Sequence, residues 1–278
     1  MSRFTPLSDD PQLVVEGDNR VPAYIPYNLT ESPAYMTGLY LPEVAPRNVI
    51  GFNNVLNPTS AISAWPLILP CSLGIGAYSD GGNGSKGLGQ DSISLYAADY
   101  SFRSIVAMWY PTALQNYGGD IAFTGYQGGE TGLSINHNNV SGVSAKAQFI
   151  DWSSATCSWP TEINANKKMA IAICADPNIG KVWGYCNGVY AESTSLGSKR
   201  WMTYDNNVLR IHSSNGYSGI SGMVVLAAAW LKDIKLSSLH KYSLNPWQLF
   251  AADPYPIYSP LSQAQMSSRR RSYFFMFG

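Results

Sequence analysis

The acidic side chains are the first candidates for chemistry, because a glycoside hydrolase needs two carboxylates flanking the bond that it cleaves. The sequence holds 18 Asp and Glu residues, and the one pair at a spacing of two, Glu16 and Asp18, lies in a proline-rich stretch. The acids in the central part of the chain stand apart in sequence and include Asp99, Asp120, Glu130, Asp151 and Glu162. Carboxylates from different strands can still converge, but the spacing gives no sign of catalysis. We expect a protein that is not an enzyme.

The histidines give no support to nucleophilic catalysis. His137 falls in the loop-like stretch INHNN, His212 in a strand-like segment and His240 on a helical turn. No G-x-S-x-G sequence accompanies them, so the nucleophile elbow of an α/β-hydrolase is missing. We therefore expect structural or solvated histidines and no catalytic residue.

The glycine-rich run 81–89 (GGNGSKGLG) invites comparison with a phosphate-binding loop. It fails on spacing, because that motif needs Lys directly after its second glycine and then a hydroxyl residue. A flexible surface loop is the better prediction. Calcium, which takes about six to eight oxygen ligands, stays an alternative at Asp80, Asp91 and Asp99 near Asn83, but their spacing does not require it.

The four cysteines, at positions 71, 157, 174 and 186, contain no C-x-x-C pair. They are too sparse for a disulfide scaffold and lack the spacing of a metal site. Cys174 and Cys186 fall in strand-like segments, which predicts buried, reduced thiols. We expect no metal or other cofactor. No export signal is recognisable, so we expect assembly in a cytoplasm.

Aromatic residues in loop-like segments are candidates for glycan binding, which needs exposed rings beside amide or carboxylate groups. The candidate platforms are Tyr117, Tyr126, Trp152, Trp159, Trp201 and Tyr217, with Asn116, Asn138, Asn139 and Asn215 nearby. The alternative for each of these rings is packing in the core or at its rim, since aromatic residues make up 13% of the chain.

The C-terminal sequence RRRSYFFMFG is the sharpest local feature. It combines three arginines with four aromatic residues: Arg269, Arg270, Arg271, Tyr273, Phe274, Phe275 and Phe277. A docking peptide would pair the arginines with carboxylates and bury the rings in a partner's pockets. A disordered basic end is the second interpretation, and nucleic-acid contact by cations and stacked rings is the third.

Charge is scarce in this chain. Charged residues make up 13% of the sequence, about half of the roughly 25% of a typical domain. Lys and Arg number 18, as do Asp and Glu, so the net charge is zero. That balance argues against broad nucleic-acid binding, which depends on neutralising phosphates. No apolar run approaches the roughly 18–20 residues of a membrane helix, and 45% hydrophobic residues exclude a disordered chain.

Short strands dominate the central part of the chain, because apolar alternation recurs between Asn-, Gly- and Ser-rich loops. Strand-like segments are 101–110, 132–139, 168–176, 208–214 and 222–231, and 181–193 forms a hairpin around Asn187-Gly188. In 168–176, Met169, Ile171 and Ile173 share one face and small residues share the other, which predicts an inner strand. Helical spacing of Leu236, Leu239 and Tyr242 predicts one helix, which ends at Asn245-Pro246.

The order of these pieces is specific. It runs through Trp109-Tyr110-Pro111, KKMAIAI (167–173), VWGYCNG (182–188), LSSLHKY (236–242) and NPWQLF (245–250). This order resembles the concanavalin A-like, laminin-G-type jelly-roll domains of tailed-bacteriophage virion proteins. The resemblance covers about residues 90–250 well and 35–90 loosely. It implies an all-β, antiparallel two-sheet sandwich of about a dozen strands, in a family that also includes lectins and glycoside hydrolases.

Three parts follow: an extended Pro-rich arm (1–34), the jelly-roll domain (35–250) and a docking tail (251–278). The resemblance implies a non-catalytic virion protein, assembled in the host cytoplasm, that decorates a capsid or serves the neck or tail. Its expected partners are capsid, neck or tail subunits and copies of itself, with no nucleic acid or membrane. The alternative is a lectin-like adhesin that binds host surface glycans through the sandwich loops, and a glycoside hydrolase is the third hypothesis.

Overall fold

The computed structural model describes residue 31 and residues 36–40, 56–58, 67–71, 74–80, 88–90, 101–112, 119–126, 131–138, 142–160, 167–202, 207–211 and 221–249. Fifteen strands lie among them: β1 (Met36–Tyr40), β2 (Leu56–Pro58), β3 (Leu67–Cys71), β4 (Gly74–Asp80), β5 (Leu88–Gln90), β6 (Arg103–Pro111), β7 (Gly119–Tyr126), β8 (Gly132–Asn138), β9 (Gly142–Gln148), β10 (Ser154–Trp159), β11 (Met169–Asp176), β12 (Lys181–Cys186), β13 (Val189–Glu192), β14 (Asn207–Ile211) and β15 (Ser221–Trp230).

These strands form two antiparallel sheets, which confirms the predicted two-sheet sandwich. Within the described part of the chain, the larger sheet has the order β13-β12-β11-β6-β15-β4-β3, and β1 also pairs with β15. The smaller sheet has the order β10-β9-β8-β7-β14-β5-β2. A core cluster with side chains from both sheets fills the space between them.

Strand β11 shows why the larger sheet is buried on both faces. Met169, Ile171 and Ile173 point into the core between the sheets. Ala172 and Cys174 alternate with them and belong to a second apolar cluster on the outer face. This confirms the prediction of an inner strand with one bulky and one small face. The central strand β15 is also buried on both faces, since all ten of its residues are buried.

The hairpin between β12 and β13 turns at Asn187 and Gly188, as predicted. Their φ angles are 47° and 81°, so both lie in the left-handed region that a two-residue type I′ turn requires. The Asn187 side chain also joins the turn to the start of β11. Its Oδ1 accepts a hydrogen bond from the Ala170 N–H at 2.8 Å, and its Nδ2 donates to the Lys168 carbonyl at 3.2 Å.

A helical layer covers the outer face of the larger sheet. Helix α1 (Leu236–Leu244) is followed by a 3-10 helix (Pro246–Leu249), and α1 ends at Asn245, as the Asn-Pro pair predicts. Leu239 and Tyr242 are buried in the outer cluster, whereas Leu236, in the first turn, is 45% exposed. No helix in the described residues is both long and apolar enough to cross a membrane.

Residue 31 falls within the segment expected to be an unpacked arm, yet Glu31 contacts the jelly-roll body. Its Oε2 lies 2.6 Å from Lys232 Nζ, and its Oε1 accepts a hydrogen bond from the Tyr242 hydroxyl at 3.0 Å. An ion pair and a hydrogen bond at one carboxylate explain why this residue packs. The rest of the predicted arm (1–30 and 32–34) and the predicted tail (251–278) lie outside the described residues.

Candidate functional site

The turn between β9 and β10 places a tryptophan in an unusual backbone conformation. The Phe149 N–H donates to the Ser153 carbonyl at 3.0 Å, which leaves the three-residue loop 150–152, and the Trp152 N–H donates to the Phe149 carbonyl at 3.0 Å. Trp152 has a φ of 63°. The last position of such a loop is left-handed and is normally glycine, and a residue with a side chain costs about 1–2 kcal/mol there.

The Trp152 side chain is 65% exposed, the highest value among the exposed large hydrophobic residues of the described chain. Local contacts hold the loop that carries it. Asp151 Oδ1 accepts hydrogen bonds from the Ser153 N–H at 3.1 Å and from its hydroxyl at 2.5 Å, and Lys199 Nζ lies 2.7 Å from Oδ2. The hydrogen bond from Lys199, followed by those from Ser153, lowers the pKa of Asp151 to about 2. The exposed ring is therefore presented by a fixed turn.

A chain segment that includes Arg200 runs beside this loop. The Ile150 N–H donates to the Arg200 carbonyl at 3.0 Å. On one side of that contact Lys199 pairs with Asp151, and on the other the Phe149 and Trp201 rings lie 4.8 Å apart. These three contacts set an antiparallel register in which Arg200 lies opposite Ile150.

Trp201 is fully buried, so the expectation that it forms an exposed glycan platform is corrected. Its Nε1 donates to the Ser101 carbonyl at 2.6 Å, and the Arg103 guanidinium lies 4.7 Å from its ring centre. Arg103 is itself fully buried, and burial lowers its pKa to about 9. Its Nη1 donates to the Thr124 carbonyl at 3.2 Å. The tryptophan therefore holds the loop segment onto the core.

The outer face of β10 is open to solvent. Ser154, Thr156 and Ser158 are exposed there, and they alternate with buried residues that point inward. Thr156 lies directly opposite Lys146 of β9, a half-buried side chain. We call Lys146, Trp152, Ser154, Thr156 and Arg200 the Trp152 surface. It combines one large aromatic ring, two hydroxyls and two cations.

A polar network crosses the outer face of the same sheet at β7 and β8. The Asn136 Nδ2 donates to Asp120 Oδ1 at 2.7 Å, and the Ser134 hydroxyl donates to Asn136 Oδ1 at 2.5 Å. Asp120 and Ser134 are buried. Because two of its three residues are buried and its groups bond to one another, we assign it a structural role.

The other aromatic candidates divide between the core and the undescribed residues. Trp159 is fully buried, and its Nε1 donates to the Val189 carbonyl at 2.7 Å, so it is a core residue. Tyr126 ends strand β7. The remaining candidates lie outside the described residues: Tyr117, Tyr217, Arg269, Arg270, Arg271, Tyr273, Phe274, Phe275 and Phe277.

His137 lies in strand β8, as the strand-like segment 132–139 predicts, and not in a loop, as the stretch INHNN suggests. It is buried, its ring centre lies 5.1 Å from that of Trp109, and neither ring nitrogen has a hydrogen-bond partner. Burial lowers its pKa to about 4. His240 is exposed on α1, 4.9 Å from the Tyr185 ring, and His212 lies outside the described residues. The structure brings neither described histidine to a nucleophile.

The described part of the chain contains no candidate metal site, and the cysteine thiols described in it are buried. No group of three or more His, Cys, Asp or Glu side chains there is placed to hold a metal ion. Cys157, Cys174 and Cys186 are free and buried, as predicted for the last two, and burial raises the pKa of each to about 12. The glycine-rich residues 81–87 lie outside the described residues, and 88–90 form β5.

Comparison with known proteins gives structural matches only. No family model matches the chain, and no curated protein matches its sequence. The fold is similar to domain 4 of AbnA, an extracellular GH43 arabinanase from Geobacillus stearothermophilus, in complex with arabinotriose. The TM-score is 0.57 at 14% identity, over 75% of this chain and 98% of that domain.

Two further structures come from botulinum neurotoxin D. The receptor-binding domain has a TM-score of 0.54 at 11% identity, over 75% of this chain and 52% of that one. The ligand-binding domain in complex with N-acetylneuraminic acid has a TM-score of 0.52 at 10% identity, over 79% of this chain and 51% of that one. This chain thus spans about half the length of the toxin domains, and at these identities the likeness shows the fold alone.

Proposed function

We propose that this chain is a non-catalytic carbohydrate-binding domain, and that Trp152 is the ring on which a sugar stacks. The observation that carries the proposal is the exposed indole at a left-handed position where glycine would be less strained. Backbone strain at an exposed residue is a recognised mark of a functional site. A turn that keeps a tryptophan there gives up stability for the ring that it presents.

The chemistry of the surrounding groups fits a sugar. An indole face packs against the C–H groups of a pyranose or furanose ring, and exposed hydroxyls and cations bind its oxygen atoms. Ser154 and Thr156 supply the hydroxyls directly beside the turn. A rigid aromatic side chain loses little conformational entropy on binding, which favours affinity at an otherwise small contact.

The structural neighbours support this class of ligand. One of them is a domain of an arabinanase in complex with arabinotriose, and another is a toxin ligand-binding domain in complex with N-acetylneuraminic acid. They are distant proteins, so they motivate the choice of glycan probes and not the identity of the sugar.

A glycan array and titration with the full chain test the proposal. We expect binding to at least one oligosaccharide, and a loss of more than about tenfold in affinity in Trp152→Ala and in Trp152→Gly. Trp159→Phe changes a core ring and is the matched control, because it should leave the affinity unchanged. The proposal would be contradicted if the full chain bound no glycan on the array, or if Trp152→Ala bound as tightly as the wild type.

The virion role expected from the sequence is a compatible second proposal. The basic, aromatic sequence 269–278 favours it, because such a segment can dock in a neighbouring subunit. In that case the jelly roll is displayed on a particle assembled in the host cytoplasm. Deletion of 269–278 should then abolish incorporation into particles while the jelly roll stays folded, and normal incorporation of the truncated chain would refute this role.

A further inference from the structure

The Trp152 surface carries two cations without partners. Lys146 of β9 and Arg200 form no side-chain ion pair or hydrogen bond within the described part of the chain. An unpaired surface cation is common, but these two lie near the turn that carries Trp152. Lys146 lies opposite Thr156, and the Arg200 carbonyl accepts a hydrogen bond from the Ile150 N–H in the turn.

The strand register puts both cations on one face. Along β9, Ala145, Ala147 and Phe149 point into the core, so Lys146 and Ile150 share the outward side. Arg200 lies opposite Ile150 in the register set by the backbone hydrogen bond of 3.0 Å. Positions 146 and 150 are four residues apart in nearly extended chain, so the backbone positions that carry the two cations lie about 13 Å apart.

The two carboxylates near this face that belong to the described residues are already engaged. Asp151 pairs with Lys199 at 2.7 Å, so these two charges cancel at the turn. Asp120 accepts a hydrogen bond from Asn136 and is buried. Among the described residues, the charge that is left for a ligand on the Trp152 surface is therefore positive, although the chain as a whole is neutral.

We infer that the ligand of the Trp152 surface is an acidic oligosaccharide, with carboxylates on at least two of its sugars. This inference rests on the proposed function and names the chemical class of the ligand. One sugar stacks on Trp152 beside Arg200, whose guanidinium can bind a carboxylate through two parallel hydrogen bonds. The chain then extends along β9 and β10, past Ser154 and Thr156, until a second carboxylate reaches Lys146. A separation of about 13 Å between the two backbone positions favours an oligosaccharide over a single sugar.

The test compares acidic oligosaccharides with their neutral methyl esters. Galacturonate oligomers and sialic acid oligomers are titrated into the full chain, each beside the ester that keeps its size and removes its charge. The variants are Lys146→Gln, Arg200→Gln and the double variant. Lys241→Gln, which removes an exposed cation from α1 on the other sheet, is the matched control.

We expect an acid to bind more tightly than its ester, and each neutralised cation to lower the affinity for the acid roughly three- to tenfold. The affinity for the ester should stay unchanged in these variants, and Lys241→Gln should behave as the wild type. Added salt should weaken binding of the acid and spare the ester.

Two other outcomes overturn the inference in distinguishable ways. In the first outcome, glycans bind in a Trp152-dependent manner but no acid binds more tightly than its ester. The ligand is then not acidic, and the carbohydrate-binding function stands. If the chain binds no glycan at all, the proposed function fails and the inference falls with it.

Discussion

The Arg103 guanidinium lies 4.7 Å from the centre of the Trp201 indole, in the interior of the sandwich. Both side chains are fully buried. The indole ends the short segment in which Lys199 bonds to Asp151 and Arg200 lies beside the exposed turn. A contact in the core therefore positions the charged part of the surface.

Two replacements of Arg103 should separate the contribution of its charge to stability from the contribution of its packing. Arg103→Ala removes the side chain under Trp201 and should lower the free energy of unfolding by about 2–4 kcal/mol. Arg103→Met keeps most of the volume and avoids a buried charge with two unpartnered nitrogens, so it should cost less than about 1 kcal/mol. Urea denaturation measures both values. Equal losses in the two variants would show that the charge itself stabilises the fold.

The strain at Trp152 predicts an unusual order of stabilities. Glycine adopts a φ of 63° without steric cost, whereas alanine does not. Trp152→Gly should be at least as stable as the wild type and about 1 kcal/mol more stable than Trp152→Ala. Thermal denaturation checks the order. A Trp152→Gly protein less stable than Trp152→Ala would mean that the indole, and not the backbone, dominates this turn.

Burial of neutral His137 predicts a loss of stability in acid. Its folded pKa of about 4 lies below the value near 6.5 of an unfolded chain, so the unfolded state binds the extra proton first. This contribution is complete above pH ~6.5 and is lost progressively as the pH falls towards 4, to a total of about 3 kcal/mol at most. Unfolding is measured across that range for the wild type and for His137→Phe, in which this part of the pH dependence should disappear. Identical pH profiles would refute the assignment.

The ion pair between Asp151 and Lys199 should affect the mobility of the turn that carries Trp152 more than it affects the free energy of unfolding. Both side chains are partly exposed, so Asp151→Asn should change the free energy of unfolding by less than about 1 kcal/mol. The folded pKa of Asp151, about 2, lies below its usual value. The contribution of the Asp151 carboxylate to stability is therefore present near neutral pH and is lost as the pH falls towards 2. Amide hydrogen exchange of residues 150–153 reports the mobility of the turn and should become faster in Asp151→Asn. Unchanged exchange would show that the Ser153 bonds suffice.

The Glu31 contacts predict one point at which the N-terminal part of the chain is attached to the jelly roll. Glu31→Gln removes the charge that faces Lys232 at 2.6 Å and should lower the free energy of unfolding by about 1 kcal/mol. Limited proteolysis should then cut the chain near residue 31 faster than in the wild type. Glu192→Gln, which breaks the exposed pair with Lys181, is the control and should leave that cleavage rate unchanged.

Sequence patterns predicted the elements in which local chemistry decides the structure. The Asn187-Gly188 turn needs two left-handed residues, and these are among the residue types that adopt such angles most easily. The alternation in 169–176 predicted both faces of β11, because a strand repeats every two residues. Asn245-Pro246 marked the end of α1 for the same kind of local reason.

The surface could be predicted only in part. Trp152 and Trp201 both occur in polar, loop-like sequence, yet one is exposed and the other is fully buried. The difference depends on Arg103 and Phe149, which approach Trp201 only after the strands pair. No glycine marked the left-handed position in the turn, so its strain had no local signal. For His137 the sequence carried two signals, because 132–139 alternates like a strand while the Asn residues around His137 resemble a loop.

The central position of β15 has a consequence for the order in which the protein forms. This strand pairs with β6 and β4, and also with β1, whose Met36 lies opposite Trp230. During synthesis, Met36 of β1 must wait for nearly 200 residues before its partner Trp230 leaves the ribosome. Contacts this distant in sequence slow folding, and an apolar partner strand stays uncovered meanwhile. We therefore expect yields of native protein to improve at low temperature or with chaperones that shield nascent strands.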